Sequence, residues 1–320
     1  MVTVAVAGGS GSIGSAVVAA IAATKKHTVF VLSRKETGKF AEAEGVSVLV
    51  VDYESPDATA DILSKNNVDT IISCLNLNSE EGNTAQVNLI VAAEKSSTVR
   101  RFAPSEYGID YLKAPPQFPA AEYKVSAVER LRKSRLAYTR FLTGAFMDYF
   151  GPQGAPTTLQ MIYLVVDHAN KKAVIPGDGN TPVVLTHSTD VGRFVAASLD
   201  LAEWDDASVI VGDRLTLNEL TKHAEDVAGG KYTAPQRKKF EVVYQSVERL
   251  QAGEQIDELP GNKAAYNFMP KEAVDTIRKG AGLGMAQGLV DLALDDKSLN
   301  RRFPEITPLN IREFFSKYRK

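Results

Sequence analysis

The sequence predicts an α/β protein with a doubly wound parallel sheet and a smaller, interleaved C-terminal lobe. Short apolar runs alternate with amphipathic stretches through the first half of the chain, which is the pattern of βαβ units. A glycine-rich segment directly follows the first apolar run. The chain of 320 residues is longer than one ordinary core requires, so we expect two lobes.

Six strands are predicted in the first lobe, with helices in the intervals between them. The predicted strands are Thr3–Ala7, Thr28–Leu32, Val46–Val51, Thr70–Leu75, Arg100–Ala103 and Ala137–Leu142. A break is expected at Gly151–Pro156, which holds two prolines and two glycines. Further on, Thr189–Leu201 has a helical pattern and Ser208–Val211 is strand-like, and both suit packing back on the first lobe. From Arg214 onward the pattern is helical and weakly punctuated.

Composition and charge exclude several classes of protein. Hydrophobic residues make up 44% of the chain and charged residues 24%, which is typical of a globular protein. The net charge of -2 provides no global field that would attract nucleic acid or anionic lipid. Cys74 is the single cysteine, so no intramolecular disulfide can form, and no metal-site spacing occurs. Without a signal-like segment or a run of ~20 apolar residues, we expect a cytoplasmic protein without membrane or nucleic-acid partners.

The segment GGSGSIG at residues 8–14 follows the first predicted strand and precedes a predicted helix, Ser15–Ala23. Its glycines fall in a G-x-x-G-x-x-G spacing. Such a turn lets the backbone approach a pyrophosphate, whose charge the helix N-terminus favours. The candidate phosphate-binding residues are Gly8, Ser10, Gly11, Ser12, Ile13 and Gly14. A glycine-rich loop without a ligand is the structural alternative, and the strand, loop and helix order argues against it.

Cationic residues follow the second predicted strand, where an NAD-binding domain usually has an acidic residue. Arg34 can clamp a 2′-phosphate, and Lys39 adds a second cation. These residues favour NADP(H) as the cofactor, although a solvated surface cluster, partly offset by Glu36, is the alternative. Leu75, at the end of the fourth predicted strand, is a further candidate for cofactor binding. The sequence thus predicts a Rossmann-type NADP(H)-binding domain at residues 1–150, with about 189–212 packing back on it, and a substrate-binding lobe at 151–188 and 213–320.

A lysine takes the place of the usual catalytic tyrosine. Ordinary short-chain dehydrogenases use a Tyr-x-x-x-Lys pair, and none of the tyrosines here is followed by lysine at that spacing. Residues 120–134 instead form an amphipathic pattern whose apolar stripe runs through Ala121, Val125, Val128 and Leu131. Lys124 falls on this stripe. It is therefore either a buried functional group or a lysine whose stem packs while its ammonium reaches water.

The loop after the fifth predicted strand should face the ligand, because open α/β sheets bind ligands at the carboxyl ends of their strands. Ser105 and Tyr107 are candidate substrate contacts in this loop. A serine–glutamate cap and an aromatic plug are the structural alternatives. The four histidines fall into no catalytic or metal pattern. Asp190 is interpreted as a helix N-cap.

These segments resemble the isoflavone reductase, pinoresinol reductase and phenylcoumaran benzylic ether reductase group of the NmrA-like atypical short-chain dehydrogenases. The matching segments are GGSGSIG, LSR at 32–34, Gln86, RFAPSEYGID at 101–110, EYKVSAVERL at 122–131, YTRFLTGAF at 138–146, GDGNTPVVLTHSTDVGRF at 177–194 and TLNEL at 216–220. Beyond about residue 230 the similarity is limited to a closing FPEITPLNIREFF pattern, so the resemblance does not identify the substrate.

The resemblance implies an NADPH-dependent reductase of small aromatic, quinone, enone or polyketide-like molecules in secondary metabolism. It implies that Lys124 is the catalytic lysine, acting as proton donor or base, that Arg34 binds the 2′-phosphate and that Phe146 packs near the nicotinamide. A non-catalytic NADP(H)-sensing regulator of the NmrA type is the alternative, and Lys124 favours the enzyme because such regulators typically lack it. A sugar-nucleotide epimerase is disfavoured by the missing Tyr-x-x-x-Lys pair.

Overall fold

The computed structural model of the protein describes residues 1–36, 38–40, 43–115, 118, 120–229 and 239–318, without the side chains of residues 39 and 229. The strands are β1 (Thr3–Ala7), β2 (Thr28–Ser33), β3 (Val46–Val50), β4 (Thr70–Ser73), β5 (Arg101–Ala103), β6 (Ala137–Tyr138), β7 (Arg140–Leu142), β8 (Ala145–Phe146), β9 (Val166–Asp167), β10 (Lys172–Pro176), β11 (Pro182–Thr186), β12 (Ala207–Val209), β13 (Asp213–Thr216) and β14 (Glu241–Gln245). The α-helices are α1 (Ser12–Thr24), α2 (Pro56–Lys65), α3 (Glu80–Lys95), α4 (Ala121–Arg132), α5 (Ser188–Ser198), α6 (Leu217–Gly229), α7 (Val247–Gln251), α8 (Lys271–Ala286), α9 (Leu299–Arg302) and α10 (Ile311–Lys317). Short 3-10 helices lie at Gly38–Phe40, Met147–Phe150 and Pro260–Asn267.

The first compact unit comprises Met1–Leu142, Ser188–Ile210 and Leu294–Ile306. Its main sheet has six parallel strands in the order β3-β2-β1-β4-β5-β6. This is the strand order of a doubly wound dinucleotide-binding sheet, with the order reversing next to β1. The prediction of a Rossmann-type fold is confirmed.

The centre of this sheet is buried on both faces, as expected of a parallel sheet covered by helices. The side chains of β1 from Val4 to Ala7 are fully buried, and those of β4 are equally inaccessible. On one face, Ala5 and Ala7 belong to a core that includes apolar residues of α3 and α4. Helices α1 and α5 pack closely together within the unit. Gly192 permits this contact, because a Cβ at that position would lie only 2.6 Å from the Ala16 carbonyl oxygen.

The predicted strand Ala137–Leu142 is in fact two strands, which corrects the sequence interpretation. β6 pairs with β5 at the edge of the main sheet, whereas β7 pairs with β12. The break is at Thr139, whose hydroxyl is fully buried and lies 2.8 Å from the Ser208 hydroxyl. The change of hydrogen-bonding partner depends on a segment about 70 residues away, so local periodicity could not reveal it.

The second compact unit comprises Thr143–His187, Val211–Ala293 and Thr307–Lys320. Its described strands form two small sheets, β14-β10-β9 and β13-β11-β8. The helical, weakly punctuated pattern predicted from Arg214 onward is therefore wrong for β13 and β14, which pair with β11 and β10 respectively. The assignment of the two units to cofactor and substrate binding stays a prediction.

Among the described residues, no helix is both long and apolar enough to span a bilayer.

Candidate functional site

Two glycines of the 8–14 loop are required by the packing of the first unit. Gly8 has φ +71°, and a Cβ there would lie 2.6 Å from the carbonyl oxygen of Cys74, the residue after β4. A Cβ at Gly14, in the first turn of α1, would overlap the Gly8 carbonyl. The loop therefore lies tightly between β4 and α1, which only residues without side chains permit.

Gly11 differs from these two glycines, because the space beside it is open as far as the described residues show. It is exposed, and apart from Gly11 itself and its two chain neighbours, the only described atom within 4 Å of a Cβ built there is the Gly8 carbonyl oxygen, at 3.3 Å. Gly11 is the N-cap residue of α1 and offers no side chain to cap the helix. No N-cap side chain therefore accepts from the first-turn N–H groups of α1, and such groups together with the helix dipole can bind an anion. Ser10 and Ser12 are exposed in the same loop, whereas Ile13 is buried.

Arg34 lies just beyond the carboxyl end of β2, where it was predicted. Its side chain is 75% exposed, and Nη1 donates a hydrogen bond of 2.9 Å to Glu81 at the start of α3. An exposed pair of this kind contributes little to stability, so a phosphate can compete for the guanidinium at small cost. The predicted second cation, Lys39, has a side chain that lies outside the described residues.

Lys124 lies on the buried face of α4, together with Ala121, Ala127, Val128 and Leu131. The side chain is only 9% exposed. Its Nζ donates hydrogen bonds to the carbonyl oxygens of Ser105 at 2.9 Å and Glu106 at 2.5 Å. The ammonium is therefore held against the loop after β5 and does not extend into water as a snorkelling lysine would.

The ammonium of Lys124 is destabilised by its surroundings. Burial lowers its pKa to about 8, and the charge of Glu106 acts in the opposite direction. Nζ also lies 4.3 Å from the centre of the Tyr111 ring. Two of its three N–H groups have oxygen acceptors among the described residues, and the ring face is a weaker partner for the third. The group can thus lose a proton near neutral pH.

The loop after β5 is held by hydrogen bonds from neighbouring elements. The backbone N–H of Ser105 donates to Oε1 of the fully buried Gln86 in α3, at 2.9 Å. The Ser105 hydroxyl donates to the Leu75 carbonyl at 2.8 Å. Tyr107 is buried, stacks on Phe141 with ring centres 6.1 Å apart, and places its hydroxyl 3.4 Å from the Cys74 sulfur. Both Ser105 and Tyr107 have structural partners, so their role in substrate binding stays a prediction.

Phe146, which the resemblance places near the nicotinamide, belongs to the second unit. It lies in β8 opposite Thr186 of β11, and its ring meets Tyr149 edge-on at 6.2 Å. In the same unit, His187 is buried, with Nε2 3.7 Å from the Asp148 carboxylate and its ring against Phe314. Asp190 is not the N-cap that the sequence predicted, because α5 begins two residues earlier. It lies in the first turn of that helix and pairs with Arg193.

Comparison with known proteins places this chain in a family. The family model described as NmrA-like matches residues 2–289, which is most of the chain. The chain belongs to the NmrA-like family. The resemblance predicted from the sequence motifs is thus confirmed.

The curated relatives of this NmrA-like chain include oxidoreductases that match it over nearly its whole length. It is 36% identical to Oxidoreductase BOA1 of Botryotinia fuckeliana, over 96% of both chains. It is 28% identical to phenylcoumaran benzylic ether reductase TP7 of Nicotiana tabacum, over 71% of this chain and 74% of that protein. The prediction that the chain is an oxidoreductase is confirmed.

Solved structures share the fold of the NmrA-like chain. Leucoanthocyanidin reductase from Vitis vinifera, in a ternary complex, has a TM-score of 0.75 at 21% identity and covers 99% of both chains. AtPrR2 with NADP+ and (+)pinoresinol has a TM-score of 0.72 at 20% identity, over 99% of this chain and 98% of that one.

Sequence reasoning did not connect two side chains with Lys124. Tyr111 contacts the ammonium with its ring, and Glu106 is buried beside the lysine, with 1% of its surface exposed. The only sequence signal for Glu106 is that it lies in the loop after β5, at the edge of the sheet where ligands bind. Its burial, however, depends on the packing of α4, which the sequence alone does not supply.

Proposed function

We propose that this protein is an NADPH-dependent reductase of small aromatic, quinone, enone or polyketide-like molecules, with Lys124 as the proton donor. The observation that carries the proposal is the buried ammonium of Lys124, which is hydrogen-bonded to the loop at the carboxyl end of β5. The glycine loop follows the carboxyl end of β1 in the same sheet. Ligands of open α/β sheets bind at that edge.

The loop and helix of the first unit fit a dinucleotide. The open space beside Gly11 and the first turn of α1 suit a pyrophosphate, and Arg34 suits the 2′-phosphate of NADPH. Leu75 is a further cofactor contact in this proposal, and the cofactor roles of Lys39 and Phe146 stay predictions from the sequence. Support comes from AtPrR2, a protein of the same fold that has been solved with NADP+. When bound, NADPH would supply the hydride from its nicotinamide ring.

Lys124 supplies the proton in this proposal. Reduction of an enone or quinone leaves negative charge on an oxygen, and a nearby ammonium both stabilises that charge and neutralises it. A pKa of about 8 suits transfer near neutral pH, because the ammonium is populated and still acidic enough to donate. The two carbonyl acceptors on Ser105 and Glu106 keep the nitrogen in place before and after transfer.

The proposed substrate class is based on the names of related proteins. One relative is named as a phenylcoumaran benzylic ether reductase, and a protein of the same fold has been solved with (+)pinoresinol. Both names refer to aromatic small molecules. Ser105 and Tyr107 are the candidate substrate contacts in the first unit, since their loop follows β5 at the ligand-binding edge.

The test is single-turnover oxidation of NADPH with a panel of quinones, enones and benzylic ethers. We expect Lys124→Met to lower the rate about 10²–10⁴-fold while NADPH still binds. The matched control is Lys133→Met, because Lys133 is an exposed lysine at the end of the same helix and should leave the rate unchanged. Unchanged turnover in Lys124→Met would contradict the role of this lysine. Tight NADPH binding without oxidation by any substrate would instead favour the NADP(H)-sensing alternative.

A further inference from the structure

The carboxyl group of Glu106 is buried, and no described residue hydrogen-bonds to it. The residue is 1% exposed, and neither side-chain oxygen has a hydrogen-bond partner among the described residues. Burying a carboxyl group in this way is costly, and nearly all buried polar groups are hydrogen-bonded. An interaction with a nearby positive charge can offset the cost of burying this carboxylate, so the cations around Glu106 have to be identified.

Lys124 is the cation left to balance Glu106. The ammonium donates to the backbone carbonyl of Glu106 at 2.5 Å, which brings it beside this residue. In the described part of the chain, the other cation that acts on the Glu106 pKa is Arg140, which is already paired with Asp110 through a 2.6 Å hydrogen bond. Tyr111 covers the ammonium with an uncharged ring. Among the described residues, the ionisable groups that face this pair are thus Arg140, Asp110 and Tyr111.

We propose that Glu106 is the positioning residue that keeps Lys124 in its ammonium form at neutral pH. Burial favours the neutral amine of a lysine, and an anionic carboxylate nearby favours the ammonium. Because no ion pair within 4.0 Å joins the two side chains, the effect acts through space, in an interior of low dielectric where charges interact strongly. The use of this charge in catalysis rests on the proposed reductase function, but the coupling between the two groups does not.

The pKa directions agree with this assignment. Burial lowers the pKa of Lys124, and Glu106 is the group that raises it. Burial raises the pKa of Glu106, while Lys124 and Arg140 lower it and Asp110 raises it. Each member of the pair is therefore unfavourable alone and supported by the other.

The coupling has a consequence for the catalytic cycle. When the Lys124 N–H bond breaks, its proton forms an O–H bond on the reduced substrate and the nitrogen becomes a neutral amine. A proton from water then restores the ammonium, and the negative charge of Glu106 favours this return. Without that charge, less of the enzyme would carry the proton at neutral pH.

The pKa of Lys124 can be measured directly by NMR on protein with isotope-labelled lysine, with the signal assigned by its loss in Lys124→Met. We expect Glu106→Gln to lower this pKa by about 1–2 units, because the group that favours the ammonium is removed. The matched control is Glu129→Gln, which removes an exposed carboxyl from α4 and should leave the pKa in place. An unchanged pKa in folded Glu106→Gln protein would overturn the proposal.

Two further measurements keep the proposal testable if Glu106→Gln does not fold. In the wild-type protein, the side-chain carbonyl carbon of Glu106 should show an ionised carboxylate at pH 7, and a protonated carboxyl there would overturn the proposal. Glu106→Asp keeps the charge, so the Lys124 pKa should lie closer to the wild-type value than to the value without a charge. With an active substrate, the pH profile of kcat should shift by the same amount as the NMR pKa. A protein without reductase activity would contradict the proposed function alone, because the NMR titration requires no turnover.

Discussion

Replacing Lys124 by methionine should change how the stability of the protein depends on pH. Methionine has a similar length and suits the apolar face of α4, but it does not titrate. The comparison is therefore between a buried ammonium and a side chain without charge. We expect the free energy of unfolding of the wild-type protein, relative to the variant, to rise between about pH 8 and pH 10.5.

The sign follows from the two protonation states. Below about pH 8 the lysine is charged in both the folded and the unfolded chain, so the folded protein carries the full cost of the buried ammonium. Between about 8 and 10.5 the folded lysine loses its proton while the unfolded one keeps it, and stability rises with pH. The pKa of Lys124 is 10.5 in the unfolded chain and about 8 in the folded protein. At 1.36 kcal/mol per pKa unit, the free energy of unfolding should rise by about 3 kcal/mol in total.

The assay is urea denaturation at a series of pH values from 7 to 10.5, followed by the fluorescence of Trp204, the only tryptophan. Groups that do not interact with Lys124 titrate alike in both proteins and cancel in the difference between wild type and variant. Lys133→Met is the control, since this exposed lysine should give a difference that is flat with pH. A flat difference for Lys124→Met as well would refute the buried ammonium and, with it, the tuned proton donor.

The remaining predictions concern the cofactor site. Gly14→Ala should destabilise the protein by about 2 kcal/mol or more in chemical denaturation, because its methyl group would overlap the Gly8 carbonyl. Gly11→Val should keep the fold but abolish binding of NADPH and NADH in calorimetry, and retained affinity would show that the loop is only structural. Arg34→Ala should weaken NADPH binding by about 1.5–3 kcal/mol and leave NADH unaffected, whereas equal losses would contradict contact with the 2′-phosphate. Glu81→Gln should strengthen NADPH binding slightly, because it frees Arg34 from its exposed partner, and weaker binding would contradict that competition.

The sequence by itself determined the features that depend on local pattern. The strands β1 to β5 lie within two residues of their predicted bounds, because short apolar runs and glycine turns are local signals. The glycine loop was recognisable because only glycine tolerates the backbone of Gly8 and the contact at Gly14. The place of Lys124 on the apolar stripe of α4 also followed from helical periodicity, since Ala121, Val128 and Leu131 share its face.

The tertiary structure alone decided the features that depend on residues far apart in the chain. The break at Thr139 requires Ser208, and β14 exists as a strand because it pairs with β10. Periodicity left two positions open for the Lys124 ammonium, and the carbonyls of Ser105 and Glu106 decided between them. The same cause explains why no hydrogen-bond partner from the described residues reaches the Glu106 carboxyl. A charge is satisfied or left unpaired only by what the folded chain brings beside it, and no local pattern in the sequence records that neighbourhood.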